Sequence, residues 1–275
     1  MQIDRDLQDR YQDLLRSIAQ MKRVVVAFSG GTDSTLLLKT CIDVLGNKNV
    51  IAFTAVSPTY PIREQEEAEK IAASFGARVI LSDTGEMDDV NFLMNDTNRC
   101  YHCKSHLFRS TWKTAREEGY SFVVEGSNTD DLNDTRPGRK ASQELNVSSP
   151  LLNAGLSKAD VRALSKMLGL PTHNKPAQAC LSSRIPYGTR ITVAHLKAIE
   201  DGEAYLRKIG VSQVRVRHHG TLARIEVEEK DFEIVLAHRN DIATEFRRLD
   251  FLYTSLDLRG YRMGSMNESS EKSTS

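Results

Sequence analysis

The chain has no surplus of charge: lysine plus arginine and aspartate plus glutamate each total 37 in 275 residues. Phosphate neutralisation supplies most nucleic-acid affinity, so a protein built around DNA or RNA usually carries a basic excess, and none is present globally. No apolar run approaches the roughly 20 residues that a membrane helix needs. The charged opening MQIDRDLQDRYQDLL lacks the apolar core of a secretory signal. Only four cysteines occur, Cys41, Cys100, Cys103 and Cys180. In a chain of this size without an export signal they read as cytosolic thiols or metal ligands, not as a disulfide framework. These absences lead us to expect a cytoplasmic protein with no nucleic-acid partner and no membrane span. The content that remains, 40% hydrophobic and 27% charged, is ordinary for a globular fold, and the length allows one large domain or two smaller ones.

Leu7, Tyr11, Leu14, Leu15 and Ile18 recur at helical spacing, which predicts an amphipathic helix near 4–20. VVVAF (24–28) is a short, continuously apolar run of the kind found in buried parallel strands. After it come a glycine turn, a helix with Leu37, Cys41, Val44 and Leu45 on its buried stripe, and a strand at 50–56. A helix near 62–75, a strand at 78–81, a helix starting near Lys104 and the strand FVVEG (122–126) complete the series. Alternation of this kind predicts an α/β fold with a doubly wound, mostly parallel sheet.

Beyond residue 150 the pattern changes. A helix near 157–168 ends at Gly169 and Pro171, and a long loop runs to about 190. A helix near 193–209, the alternating strands QVRVRHH and TLARIEVE, a helical stretch at 230–248 and the strand FLYTSLDL (251–258) follow. We expect domains at 1–180 and 181–265, the second a small α+β unit, and a disordered tail at 266–275 rich in Ser, Glu, Asn and Lys.

The strongest motif is Ser29-Gly30-Gly31-Thr32-Asp33-Ser34, set between a buried strand and a helix. Adjacent glycines let the backbone approach a phosphate, and the helix N-terminus beyond them offers free N–H donors and the positive end of a dipole. Ser29 and Ser34 add hydroxyls, and Asp33 is a candidate ligand for a magnesium ion on the pyrophosphate. No Walker lysine follows. A bare Gly-Gly pair would read as a capped turn; the six-residue string in this setting does not.

The string resembles the SGGxDS signature of PP-loop ATP pyrophosphatases. The resemblance implies a Rossmann-like fold and cleavage of ATP between the α- and β-phosphates, giving an adenylylated substrate and pyrophosphate. It also implies that Ala55 and Val56, ending the second strand, line the adenosine. Gly126-Ser127-Asn128-Thr129-Asp130-Asp131 resembles the GTNxDD segment of the same group, which makes Gly126 and Asn128 nucleotide contacts.

Further strings narrow the resemblance: Asp134-Thr135-Arg136-Pro137-Gly138, SSRIPYGTRIT (182–192), Arg215-Val216-Arg217 and Asp257-Leu258-Arg259-Gly260-Tyr261-Arg262. With the loop they cover nearly the whole chain and are similar to the LarE family. Members adenylylate a carboxylate of pyridinium-3,5-biscarboxylic acid mononucleotide and convert it to thiocarboxylate for the nickel-pincer nucleotide of lactate racemase. The resemblance implies roles near substrate or phosphate for Ser183 and Arg184, and around the same pocket for Glu203, Arg215, Arg217, Asp231 and Arg262. It leads us to expect a small-molecule nucleotide substrate, an unidentified sulfur donor and a homo-oligomer. From pattern alone, Arg215 and Arg217 would be the solvated face of an alternating strand, and Glu203 and Asp231 surface or capping residues.

Cys100-Tyr101-His102-Cys103 is a CxxC ahead of a helix, and Cys180 lies in the loop before Ser183. A lone CxxC fits redox pairs, zinc sites and clusters alike. Three thiolates can hold a 4Fe-4S cluster by three irons, and the family includes a branch with such a set. Another branch sacrifices the sulfur of one cysteine, which aligns with Ala179 here, and lacks the CxxC. The chain thus resembles the cluster branch. A structural zinc, and sacrificial or persulfide chemistry on Cys180, are the alternatives. Two other readings of the whole are a tRNA thiolation enzyme of the PP-loop class and a non-catalytic nucleotide sensor.

Overall fold

A computed structural model describes residues 4–132, 137–176, 179–262 and 266. The Asp134-Thr135-Arg136 string and the 267–275 tail lie outside them. The chain forms two compact units: residues 1–92 with 97–178, and residues 93–96 with 179–275.

The first unit runs α1 (Arg5–Met21), β1 (Val24–Ala27), α2 (Thr32–Leu45), β2 (Val50–Val56), α3 (Ile62–Ser74), β3 (Arg78–Asp83), α4 (Val90–Leu93, whose last residue falls in the second unit), α5 (Arg99–Glu117), β4 (Phe122–Val124), α6 (Pro137–Glu144), α7 (Pro150–Asn153) and α8 (Lys158–Met167). Its four strands are all parallel, in the order β3-β2-β1-β4. The period of two along each strand divides the core. Val24, Val26, Val50 and Ala52 pack with Leu37, Cys41, Ala68 and Leu164 on one face, and Val25, Ile51 and Phe53 pack with Phe108 and Ala115 on the other. Both faces are covered, which is why VVVAF is apolar throughout. α2 is wrapped more completely than a single stripe implies: Leu36, Leu38 and Thr40 are buried with Leu37 and Cys41, since α1 and α8 also pack on it.

α5 begins at Arg99 rather than near Lys104. The Asn98 carbonyl accepts from the Tyr101 and His102 amides at 2.8 and 3.2 Å, so the CxxC lies inside the helix and not ahead of it.

The second unit holds α9 (Val193–Lys208), β5 (Val214–His219), β6 (Leu222–Val227), α10 (Phe232–Ala237), α11 (Arg239–Arg248) and β7 (Tyr253–Leu256). β5 and β6 pair antiparallel, β6 and β7 parallel. The predicted helix at 230–248 is two helices, broken at His238. Gly202 lets α9 approach α11 closely, since a Cβ there would lie 3.1 Å from the Phe246 ring. The alternation in β5 predicts a solvated face, and the structure corrects this. Arg215 and Arg217 are 3% and 5% exposed, Arg215 beneath the Tyr261 ring and Arg217 donating to the Ser183 carbonyl.

Candidate active site

The sheet of the first unit continues one residue past β1: Phe28 N–H donates to Phe53 O at 2.8 Å and Thr54 Oγ1 to Phe28 O at 3.0 Å. The chain then turns through Ser29–Gly31 into α2. Gly30 has φ +66°, and a Cβ there would stand 2.7 Å from the Ala68 Cβ of α3, so both the turn and the close approach require glycine. Ser34 Oγ accepts from the Ser29 amide at 3.3 Å and donates to Gly31 O at 3.2 Å, which ties the loop on itself. Ala55-Val56 end β2, and Ser29 and Gly126-Asn128 follow β1 and β4, all at the carboxyl edge. β1 and β4 flank the point where the crossovers change face, the usual ligand crevice of an open parallel sheet. Gly126 lies against the loop: a Cβ there would meet Ser34 N at 3.0 Å and Asp33 Cβ at 3.2 Å.

Asp33 is held by Asn128, whose Nδ2 donates at 3.1 Å, and by an ion pair with Lys158 at the start of α8. Thr32 Oγ1 donates to Thr172 O at 2.9 Å and so anchors the loop to the protein. Lys175 Nζ reaches Gly30 O at 3.3 Å and Glu64 at 2.8 Å, and the Tyr60 hydroxyl donates to Ser29 O. Burial, with Glu64 and Glu67 beyond, pushes the Tyr60 hydroxyl's pKa up. Sequence reasoning missed Lys158, Lys175 and Tyr60. Lys158 is one residue after a helix-capping serine and 125 residues from its partner, and no local signal marks it.

In the second unit Ser183, Arg184, Glu203, Arg215 and Arg217 come together around a charged group nearly closed to solvent. Arg184 and Glu203 are each 1% exposed; Nε donates to Oε1 at 2.9 Å and Nη2 to Oε2 at 3.3 Å. Glu203 also accepts from Arg207 at 2.7 Å and from the Val216 amide at 3.2 Å. Burial opposes ionisation of Glu203, but Arg184, then Arg207 and Arg215, outweigh it and hold the carboxyl below the ordinary range. Glu226, fully buried, accepts from Arg217 at 2.7 and 3.0 Å and from Arg224 at 3.1 Å. Burial, then the charge of Arg184, lowers the Arg215 guanidinium to about 10. Five arginines, 184, 207, 215, 217 and 224, thus face the buried carboxylates Glu203 and Glu226, an excess of positive charge suited to an anionic ligand. Arg184 Nη1 also donates to the carbonyls of Ala179 and Cys180, so this side chain organises the loop that bears Cys180.

Asp231 accepts from the Ser212 amide and hydroxyl at 3.0 and 2.7 Å. Against the opposing effect of burial, those bonds hold its carboxyl below the usual range. Arg262 is half-buried, with Nη1 3.3 Å from Gly260 O and 3.9 Å from Asp257.

Cys100 and Cys103 lie one turn apart at the start of α5, the first exposed and the second half-buried, and Cys180 is half-buried in the second unit. Cys41 is fully buried, and burial alone raises its thiol's pKa, as befits a core side chain. Among the described residues no group of three or more His, Cys, Asp or Glu side chains is placed to hold a metal ion. No described helix is long and apolar enough to cross a membrane.

Residues 3–135 match the PP-loop domain family. An uncharacterised protein of Synechocystis sp. is 42% identical over 95% of this chain and 98% of its own length. The pyridinium-3,5-bisthiocarboxylic acid mononucleotide synthase of Lactiplantibacillus plantarum is 38% identical over 94% of each chain. An NH(3)-dependent NAD(+) synthetase of Methanococcus aeolicus is 28% identical over 56% of this chain and 62% of its own. With a phosphate loop at the carboxyl edge of a parallel sheet and near-full-length similarity to that synthase, the chain belongs to the LarE family of PP-loop enzymes.

Proposed function

We propose that this protein is an ATP-dependent sulfurtransferase that converts a carboxylate of pyridinium-3,5-biscarboxylic acid mononucleotide to thiocarboxylate. The observation that carries the reading is the Ser29–Ser34 loop, folded on itself at the start of α2, in a chain similar along its length to the Lactiplantibacillus synthase. A carboxylate is a poor electrophile. Its oxygen attacks the α-phosphorus of ATP, the bond to the β-phosphate oxygen breaks, and pyrophosphate leaves. Hydrosulfide then attacks the acyl carbon of the mixed anhydride; a C–S bond forms, the C–O bond to AMP breaks, and one proton is released.

The chain's own groups serve each stage. Loop amides and the hydroxyls of Ser29 and Ser34 bind phosphate, Gly126 and Asn128 close the loop's other side, and Ala55 and Val56 line the adenosine. Asp33 fits a magnesium ion, being a carboxylate on the phosphate loop whose present partners, Lys158 and Asn128, are groups that Mg·ATP could displace. Arg215 and Arg217, together with Arg184 and Arg262, bind the anionic substrate; Ser183 adds a hydroxyl, Glu203 keeps Arg184 and Arg207 in place, and Asp231 braces the approach to β5. Cys100, Cys103 and Cys180 are a soft donor set whose count and type fit three irons of a 4Fe-4S cluster. Bound there, a cluster would supply a site for sulfur that spares the protein's own thiols.

The test is pyrophosphate release from ATP with the biscarboxylate nucleotide present. Asp33→Ala and Ser29→Ala are expected to abolish it with the fold intact. Near-normal turnover in both would sink the PP-loop assignment.

A further inference from the structure

We propose that Asn95 is a positioning residue for the sulfur-transfer step, because it fixes the loop 179–191 that carries Cys180, Ser183 and Arg184. The inference rests on the proposed role of that loop in thiolation. Leu93–Asp96 belongs to the second unit although the chain on either side belongs to the first. Asn95 is 0% exposed and sits at φ +55°, a left-handed conformation that asparagine tolerates better than most residues. Its Nδ2 donates to the carbonyls of Pro186 at 2.8 Å, Thr189 at 3.0 Å and Ile185 at 3.3 Å. An amide nitrogen has two hydrogens, so one is shared. The Asn95 carbonyl accepts from Gly188 N–H at 2.9 Å, and Leu93 O from Ile191 N–H at 2.9 Å.

The two halves of the loop are therefore held differently. Arginines grip the first half: Arg184 on the carbonyls of Ala179 and Cys180, and Arg217 on Ser183 O at 3.2 Å. Asn95 grips the second half, where turning carbonyls have no strand or helix to satisfy them. Without its side chain the carbonyls of Ile185, Pro186 and Thr189 lose a shared donor, and the backbone bonds from Gly188 and Ile191 are left to hold the second half, which loosens the loop that carries Cys180, Ser183 and Arg184. Displacement of a reacting group by about 1 Å can cost on the order of 100-fold in rate.

Two variants test this. Asn95→Asp keeps size and backbone preference but sets an acceptor against three carbonyls; Asn95→Gly keeps the positive φ and the backbone bond from Gly188 and removes the three side-chain bonds. The readouts are ATP affinity, kcat and KM for thiolation of the biscarboxylate nucleotide with sulfide as sulfur source, and amide exchange at Gly188 and Ile191. Both variants are expected to bind ATP within twofold of wild type, to keep KM within about threefold, and to lose at least tenfold in kcat with faster exchange at those amides. Faster exchange with kcat within twofold of wild type would show that the clamp serves folding alone, and would overturn the proposal. So would protection and kcat both unchanged. Should Asn95→Asp fail to fold, Asn95→Gly decides. Wild type that releases pyrophosphate but yields no thiocarboxylate, or full thiolation by Cys180→Ala, Ser183→Ala and Arg184→Lys alike, would overturn the loop's role and this proposal with it.

Discussion

Gly30→Ala should disable the phosphate loop while Gly31→Ala leaves the fold alone, although the two residues are adjacent. At Gly30 the new Cβ meets Ala68 Cβ at 2.7 Å and Ala68 Cα at 2.9 Å, and φ is +66°. The left-handed conformation costs a residue bearing a Cβ about 1–2 kcal/mol, and overpacking against α3 adds about 1–3 kcal/mol. A combined loss of about 2–5 kcal/mol lowers the melting temperature by on the order of 10 °C in a chain of this size. Relief requires the loop or α3 to shift by about 0.7 Å to restore ordinary contact, and such a displacement costs roughly ten- to 100-fold in a step that depends on phosphate position. At Gly31 φ is −78°, and a Cβ would meet only Ser29 Oγ, at 3.4 Å. Stability there should stay within about 0.5 kcal/mol. Thermal melts and pyrophosphate release on both variants provide the assay. Gly30→Ala equal to wild type in both would refute the reasoning about the loop's contact with α3.

Arg217→Ala is expected to weaken binding of the substrate at least tenfold, about 1.5–3 kcal/mol for a charge-assisted contact, while ATP titrations stay unchanged. It also strips a partner from Glu226, so adding Glu226→Gln should recover melting temperature but not substrate affinity; recovery of both would confine Arg217 to a folding role. Glu203→Gln removes a buried carboxylate from three arginines and should destabilise by about 3–5 kcal/mol at neutral pH. Because the folded carboxyl is held below its unfolded value, its contribution is present above the ordinary glutamate pKa and is lost as pH falls through the folded one. The variant's melting temperature should therefore fall less steeply below about pH 4 than wild type's. Wild type purified without oxygen should hold about four irons; alanine at Cys100, Cys103 or Cys180 should lose them and Cys41→Ala keep them. Full iron in any one of the first three, or loss of one hydrogen sulfide from Cys180 on turnover, would establish other chemistry.

The parallel sheet was legible because its signals are local. VVVAF is apolar at every position since residues alternate between two covered faces, and Ser29–Ser34 needs only a strand before it and a helix after it. The start of α5 was misplaced although Asn98 is of a type that favours helix N-caps, because the CxxC after it fits a loop as readily as a helical turn. Neither Lys158 nor Asn95 carries any mark in its own neighbourhood. Each matters through a partner about 90 residues away or more, Lys158 through Asp33 and Asn95 through the 185–189 carbonyls.

The arginine face divides the two kinds of information most clearly. Alternation in VRVRHH specifies a strand with Arg215 and Arg217 on one side, and the sequence alone determines that much, because side-chain direction in a strand has a period of two. Whether that side meets water depends on what lies over it. The 181–184 turn and Tyr261 cover it, so the guanidiniums lose solvent and take Glu226, Val214 O and Ser183 O as partners. Periodicity is a property of consecutive residues. Burial belongs to surfaces brought together from distant parts of the chain, and only the tertiary structure decided which of the charged faces would be closed.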